Sequence, residues 1–206
     1  MKLHYHPLSP YSRKALVAIL MRGEAIELCE IAIGQGGLSQ PEFLALSPFG
    51  KMPMLQTDDG PIIESTSIIE YLEERGPALL LPAGAERTAR HFDRLGDHYL
   101  MAPMAELFWQ TESELVKLAP QWLPAAWQLF ATQLAGRDFV CGKAFSLGDL
   151  SGAIATDYLQ RLGWQPPPAI EAWRQRCFAV PAMAQSLDMA LPYVRRILGE
   201  RASELG

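Results

Sequence analysis

The stretch from Ser47 to Glu74, SPFGKMPMLQTDDGPIIESTSIIEYLEE, admits few folds. Apolar runs from Met52 to Leu55 and from Pro61 to Ile63 flank Asp58-Asp59-Gly60. Glycine tolerates the positive φ of tight hairpin turns, so the pair predicts two antiparallel strands. Ile68, Ile69 and Leu72 then recur at helical spacing. Ser65 stands where it can cap that helix, whose first N–H groups have no partner inside it. A helix start of this kind attracts anions such as a carboxylate. Pro53 lacks an N–H and belongs at the start or edge of its strand, beside unpaired backbone groups. The stretch therefore predicts a strand edge next to a carboxylate-binding helix end, a cradle suited to an extended peptide.

From the N-terminus, Lys2 to Tyr5 reads as a strand, followed by the loop His6-Pro7-Leu8-Ser9-Pro10-Tyr11. Ser12 is expected to cap a helix through Leu16, Ile19 and Leu20 that stops at Gly23. Ile26 to Ile31 is a second strand, Ala32 to Gln40 a loop, and Pro41 to Leu46 a short helix with proline in its first turn. Residues 1–76 thus read βαβαββα, a parallel pair extended by an antiparallel hairpin. Residues 77–84 form a Pro/Gly linker with leucines expected on the surface, and residues 85–206 an all-helical region. There the helical segments run from Ala85 to Trp109, with a bend at Pro103, and from Pro120 or Pro124 to Leu134. Ser146 and Asp149 form a capping box with Phe145 and Leu150 as its apolar staple. Leu147, Leu150, Ile154 and Tyr158 should line one face of that helix. Further helices start at Ala169, Ala182 and Pro192, and the tail after Gly199 frays.

Composition narrows the function. The chain has 206 residues and a net charge of −5. Before Gly76 there are 6 Lys+Arg against 10 Asp+Glu, and after it 12 against 13, so neither half carries the basic excess of a nucleic-acid binder. Cys29, Cys141 and Cys177 are far apart and odd in number, which argues against a disulfide framework or a cysteine zinc site. No leader-like or membrane-spanning apolar run is evident, so a cytoplasmic protein is expected, with no membrane partner. His4 and His6 share a strand face and His91 and His98 lie two helical turns apart. Two ligands without a third make no zinc site, so no metal is expected.

Three motifs, in order and spacing, resemble the cytosolic glutathione transferases over essentially the whole chain. Ser9-Pro10-Tyr11-Ser12-Arg13-Lys14 resembles the segment between first strand and first helix in serine- and cysteine-type classes, with theta, zeta, phi and beta all open. Ser47 to Leu55 with Glu64-Ser65 resembles the glutathione-binding segment. Phe145 to Asp149 resembles the capping box of the buried helix, with Gly148 replacing the usual alanine. The resemblance implies an α/β thioredoxin-like domain followed by an all-α helical bundle, and two-fold homodimers. It implies glutathione as co-substrate, gripped by Lys51, Met52, cis-Pro53, Glu64 and Ser65.

A hydroxyl at the first helix start would stabilise the glutathione thiolate. Ser9 is the first choice, Ser12 the second and Tyr5 the third. Leu8, Pro10, Tyr11, Met101, Met104, Ala105, Phe108 and Trp109 are candidates for the wall facing a hydrophobic electrophile. The activities implied are conjugation to such an electrophile, or isomerisation or peroxide reduction with the same thiol. Thiol/disulfide exchange and a non-catalytic scaffold role are the alternatives.

Overall fold

The computed structural model describes residues 1–33 and 36–204. Gly34 and Gln35 of the loop after the second strand lie outside the described residues, as do the last two residues and the side chains from Glu200 onward in the expected fraying tail. The chain divides into two units, Met1–Gly76 with the segment from Pro181 onward, and Pro77–Val180. The expected division into 1–76, 77–84 and 85–206 differs in two places. Residues 77–84 group with the helical unit, and the terminal helix groups with the sheet.

In the first unit, β1 (Lys2–Tyr5), α1 (Pro10–Arg22), β2 (Glu27–Glu30), α2 (Pro41–Leu46), β3 (Met54–Thr57), β4 (Gly60–Ile63) and α3 (Ser65–Glu74) follow one another. The sheet order is β2-β1-β3-β4, with β1 and β2 parallel and the other pairs antiparallel. Leu3 faces Leu55 and His4 faces Met54 across β1 and β3, so the strand period of two sorts them onto opposite faces. Leu3, Leu16, Leu55, Ile68, Ile69 and Leu72 are fully buried. On the His4 side, Phe43 of α2 packs with Ile31 and Met54, and Met52 leans on that cluster.

Helix α1 ends at Gly23, left-handed at φ 64, a conformation glycine adopts without a Cβ penalty. Its expected cap differs. Ser9 is the N-cap, and Ser12 is buried in the first turn. Pro10 explains the shift, since its fixed φ suits the first helical position and pushes the cap back to Ser9. The helix α9 (Pro181–Glu204) is continuous through Pro192 rather than restarting there. It meets α1 where Arg13 Nη2 donates to Ser186 Oγ at 3.4 Å.

The helical unit holds α4 (Glu86–Leu95), α5 (Ala102–Trp109), α6 (Glu114–Leu134), α7 (Leu147–Arg161) and α8 (Pro168–Phe178). Leu80 and Leu81 are buried here rather than on the surface, and Leu80 C=O accepts from Leu147 N–H at 2.8 Å. The bend expected at Pro103 takes the form of a π-helical turn, Gly96–Met101, just before it. Proline removes an i→i−4 bond, and a wider turn upstream accommodates the loss. Helix α6 begins at Glu114, earlier than expected, and keeps Pro120 and Pro124 inside. Both prolines are exposed, while Leu123, Ala126, Trp127 and Phe130 are buried at helical spacing. Burial of that stripe outweighs the local proline penalty.

Helix α7 is buried from Leu147 through Leu159, all round rather than on one face. Its capping box forms as expected. The glycine at 148 has a packing reason. A Cβ there would stand 2.6 Å from Phe92 Cβ and 3.2 Å from Ala89 C=O, so α4 crosses with no room for a methyl group.

Candidate active site at two helix starts

The loop between β1 and α1 delivers Ser9 to the start of α1. Its Oγ accepts from Ser12 N–H at 3.2 Å, and its N–H donates to His6 C=O at 3.0 Å. Ser9 is half-buried, and among the described residues no acceptor takes its hydroxyl proton. Ser12 is fully buried, and its Oγ accepts from His6 N–H at 3.4 Å. Tyr5 is buried on the Leu3 side of the sheet, and that burial, with Glu30 nearby, pushes its phenol up. The three candidate hydroxyls therefore differ in access, and Ser9 alone has surface to offer.

A second helix start lies at α3. Ser65 was expected as its cap; instead Glu64 is the N-cap and Ser65 the first helical residue. Glu64 adopts φ 72 and ψ 122, costly for a residue with a Cβ, and its side chain does not cap the helix. Backbone held this way turns the chain sharply out of β4 and leaves the first-turn N–H groups without a side-chain acceptor from the cap. Lys14, buried in α1, donates from Nζ to Thr66 Oγ1 at 3.2 Å and so ties α1 to this first turn. Sequence reasoning missed Lys14 as a brace, because a lysine one turn into a helix normally reads as solvated.

The Met52-Pro53 peptide is cis, as the resemblance implied. The ladders of β3 begin at Met54 on both sides, so the Met52 backbone lies outside them. Ser47 Oγ donates to Lys51 C=O at 2.9 Å, which fixes the turn, while the Lys51 side chain is exposed. Of the apolar set around the loop between β1 and α1, Leu8 is buried and Pro10 and Tyr11 are half-buried. In the helical unit Met101, Met104 and Phe108 are buried, Ala105 is half-buried and Trp109 is 49% exposed. Phe108 packs edge-on against both Trp109 and Tyr158.

His4 and His6 part company. His4 Nε2 lies 3.3 Å from Gln56 Oε1, while His6 turns to Glu30 at 3.5 Å. Among the described residues no three His, Cys, Asp or Glu side chains converge as a metal site would require. No helix among them is long and apolar enough to cross a membrane.

The sequence profile of the glutathione S-transferase N-terminal domain matches residues 3–79, and that of its C-terminal domain residues 95–181. The chain belongs to the glutathione S-transferase family. Its similarity to individual members of the family is modest. Glutathione S-transferase F10 of Arabidopsis thaliana is 29% identical over 172 residues, covering 75% of this chain and 79% of that protein. A maleylacetoacetate isomerase of Pseudomonas aeruginosa is 40% identical over 94 residues, 44% of each chain. Among solved structures, Gtt2 of Saccharomyces cerevisiae superposes with a TM-score of 0.79 at 23% identity, over 90% of this chain and all of that one. The bacterial glutathione S-transferase BphK, solved as a ternary complex, gives 0.81 at 23% identity, over 92% and 99%. The transferase fold, an α/β thioredoxin-like sheet and a helical C-terminal domain, is common to them.

Proposed function

We propose that the first unit binds glutathione, holds its thiol as the thiolate at Ser9, and presents it to an apolar electrophile. The half-buried Ser9 hydroxyl carries this reading. Its oxygen is held by the Ser12 N–H, which leaves its proton to donate. A free thiol has a pKa of about 8.5 and is only a few per cent ionised at neutral pH. An O–H donor and the positive end of α1 both favour the anion. Ser12 and Tyr5 are less suited, being buried. The thiolate sulfur forms the new bond to carbon, the leaving group departs with its electron pair, and the thiol proton passes to solvent.

The rest of the tripeptide fits the second helix start. Glu64 accepts from the γ-glutamyl ammonium, and the Ser65 end of α3 takes the neighbouring carboxylate. The Met52 backbone pairs with the cysteinyl residue as an added strand, and Lys51 meets the glycyl carboxylate. Pro53, between Met52 and β3, keeps that edge open. Around the sulfur, Leu8, Pro10 and Tyr11 supply apolar contact. A homodimer is the assembly we expect, and the Phe49 ring, 72% exposed, is an apolar group that an interface would cover.

The isomerase similarity over 94 residues favours one variant, in which the thiolate adds reversibly to an activated alkene and is released again. Disulfide exchange is less favoured, because Ser9 supplies no second sulfur. The deciding experiment is a calorimetric titration with glutathione, followed by assays on a chloro-nitroaromatic, a conjugated cis-alkene, a hydroperoxide and a mixed disulfide. Measurable binding with turnover of the first or second supports the reading. Absence of any binding heat leaves the scaffold role instead.

A further inference from the structure

His6 holds the thiol loop by three of its atoms. Its C=O accepts from Ser9 N–H at 3.0 Å, its N–H donates to Ser12 Oγ at 3.4 Å, and its ring Nδ1 accepts from Leu8 N–H at 3.0 Å. An Nδ1 that accepts leaves the proton of the neutral ring on Nε2. That Nε2 lies 3.5 Å from Glu30 Oε1, and the same oxygen accepts from Tyr193 O–H at 2.6 Å. The Tyr193 ring stands edge-on against the imidazole, with centroids 4.5 Å apart. One carboxylate at the end of β2 thus joins a histidine of the thiol loop to a tyrosine of α9.

The groups facing His6 are Glu30 from β2, Tyr193 and Arg196 from α9, and Ser12 from α1. His6 is only 4% exposed, and burial lowers the pKa of its ring, partly offset by Glu30. A flip of the ring about Cβ–Cγ would put a carbon against Leu8 N–H and turn Nε2 away from Glu30. The Leu8 N–H bond and the Glu30 contact therefore favour the same ring orientation, and a neutral, oriented imidazole is the state the loop requires.

We propose that His6 is a positioning residue for the Ser9 hydroxyl, and that Tyr193 of the terminal helix, acting through Glu30, fixes its ring. The role in chemistry rests on the Ser9 hydroxyl being the donor to the glutathione thiolate. The claim about loop position does not, which allows the two to be tested apart.

The variants are His6→Gln, His6→Asn and Tyr193→Phe. An asparagine amide oxygen can replace Nδ1 as acceptor for Leu8 N–H, whereas a glutamine amide sits further out, near Nε2. In His6→Gln the ionisation constant of enzyme-bound glutathione, read from thiolate absorbance against pH, should weaken about tenfold. Turnover number should fall with it, while the affinity for S-methylglutathione, which has no thiol to ionise, stays within about twofold. His6→Asn should recover most of the loss, and Tyr193→Phe should show about a threefold loss in the same direction. Unchanged thiol ionisation in folded His6→Gln and Tyr193→Phe overturns the proposal, as does an equal loss in His6→Asn. If the native protein ionises no bound glutathione, the functional reading fails by itself, and amide exchange then decides. Exchange at Leu8 and Ser9 about fivefold or more faster in His6→Gln and Tyr193→Phe upholds the positioning, and unchanged exchange overturns it.

Discussion

Helices α1 and α7 both start on a serine, and the two starts are completed to different degrees. At α7, Ser146 and Asp149 are fully buried. The Asp149 carboxylate accepts from Val140 N–H at 2.9 Å, Ser146 N–H at 3.0 Å, Ser146 Oγ at 2.6 Å and Trp173 Nε1 at 2.8 Å. At α1, Ser9 is half-buried and accepts one bond at 3.2 Å. The saturated start leaves no valence for a ligand and serves the fold. The unsaturated one keeps a donor and an accessible face, which a thiolate can use. The same residue type at the same helical position thus serves two ends, decided by how many partners surround it.

The comparison breaks most visibly at Asp149. Replacing it by alanine strands four buried donors, so Asp149→Ala should cost about 3–5 kcal/mol in urea unfolding. A loss under about 1 kcal/mol would mean that the box is no more finished than the Ser9 cap.

The same carboxylate sets a pH dependence. Burial pushes Asp149 from its ordinary 3.8 up to about 6, against the pull of its four donors. Between those values the native state holds a proton that the unfolded chain releases, so the contribution of this group falls as pH rises through that window. The size is about 3 kcal/mol, most of it lost by pH 6 and flat above about pH 7. Glu171 runs the other way. Arg174 is the main cause that holds it down to about 2, so its contribution is present above its ordinary 4.5 and is lost as pH falls towards 2. Subtracting the stability curve of Asp149→Asn from that of the native protein isolates the first effect. A difference that does not vary between pH 4 and 6 would contradict the raised value.

At the other start, Ser9→Ala should lower turnover about 100-fold, in line with loss of a donor to a reacting anion. Stability should fall by only about 1 kcal/mol, the ordinary worth of a cap. Kinetics and melting thus separate the two helix starts in opposite directions. A variant that melts much lower but still turns over would reverse their roles.

What the sequence disclosed follows the same line. Local patterns were legible. The Asp58-Asp59-Gly60 hairpin, the helix Pro41–Leu46, the Gly23 stop and the Ser146/Asp149 box all form where their residues predict. Each depends on neighbours a few positions away. The cap of α1 was misread because Ser9 and Ser12 both satisfy the pattern, and the proline between them decides. The helix α6 was cut short because Pro120 and Pro124 end a helix by local rules, while a buried stripe carries it through. His6, Glu30 and Tyr193 gave no sequence signal as a set. They are 24 and 163 positions apart, 30 − 6 and 193 − 30, and only the fold joins them.

Gly148 tests how tightly the saturated start is packed. By helix propensity alone, Gly148→Ala should gain up to about 1 kcal/mol. The added methyl would meet Phe92 Cβ at 2.6 Å, a backbone-near atom with little freedom to move. Overpacking of this kind costs about 1–3 kcal/mol, so a net loss is expected in thermal unfolding. A stabilised variant would show that α4 can give way at this crossing.

The smallest effect belongs to the open side of the comparison. Lys51 is exposed and lies in the turn before Pro53. An exposed ion pair with the glycyl carboxylate is worth at most about 1 kcal/mol, so Lys51→Ala should raise KM for glutathione no more than about fivefold. Turnover number should hold, because the carboxylate is far along the tripeptide from the reacting sulfur and its contact is the same before and during reaction. Raising the salt concentration should shrink the difference between native and variant protein, since exposed charges are screened. If turnover number falls as KM rises, Lys51 acts on the reacting end rather than only gripping the glycyl carboxylate.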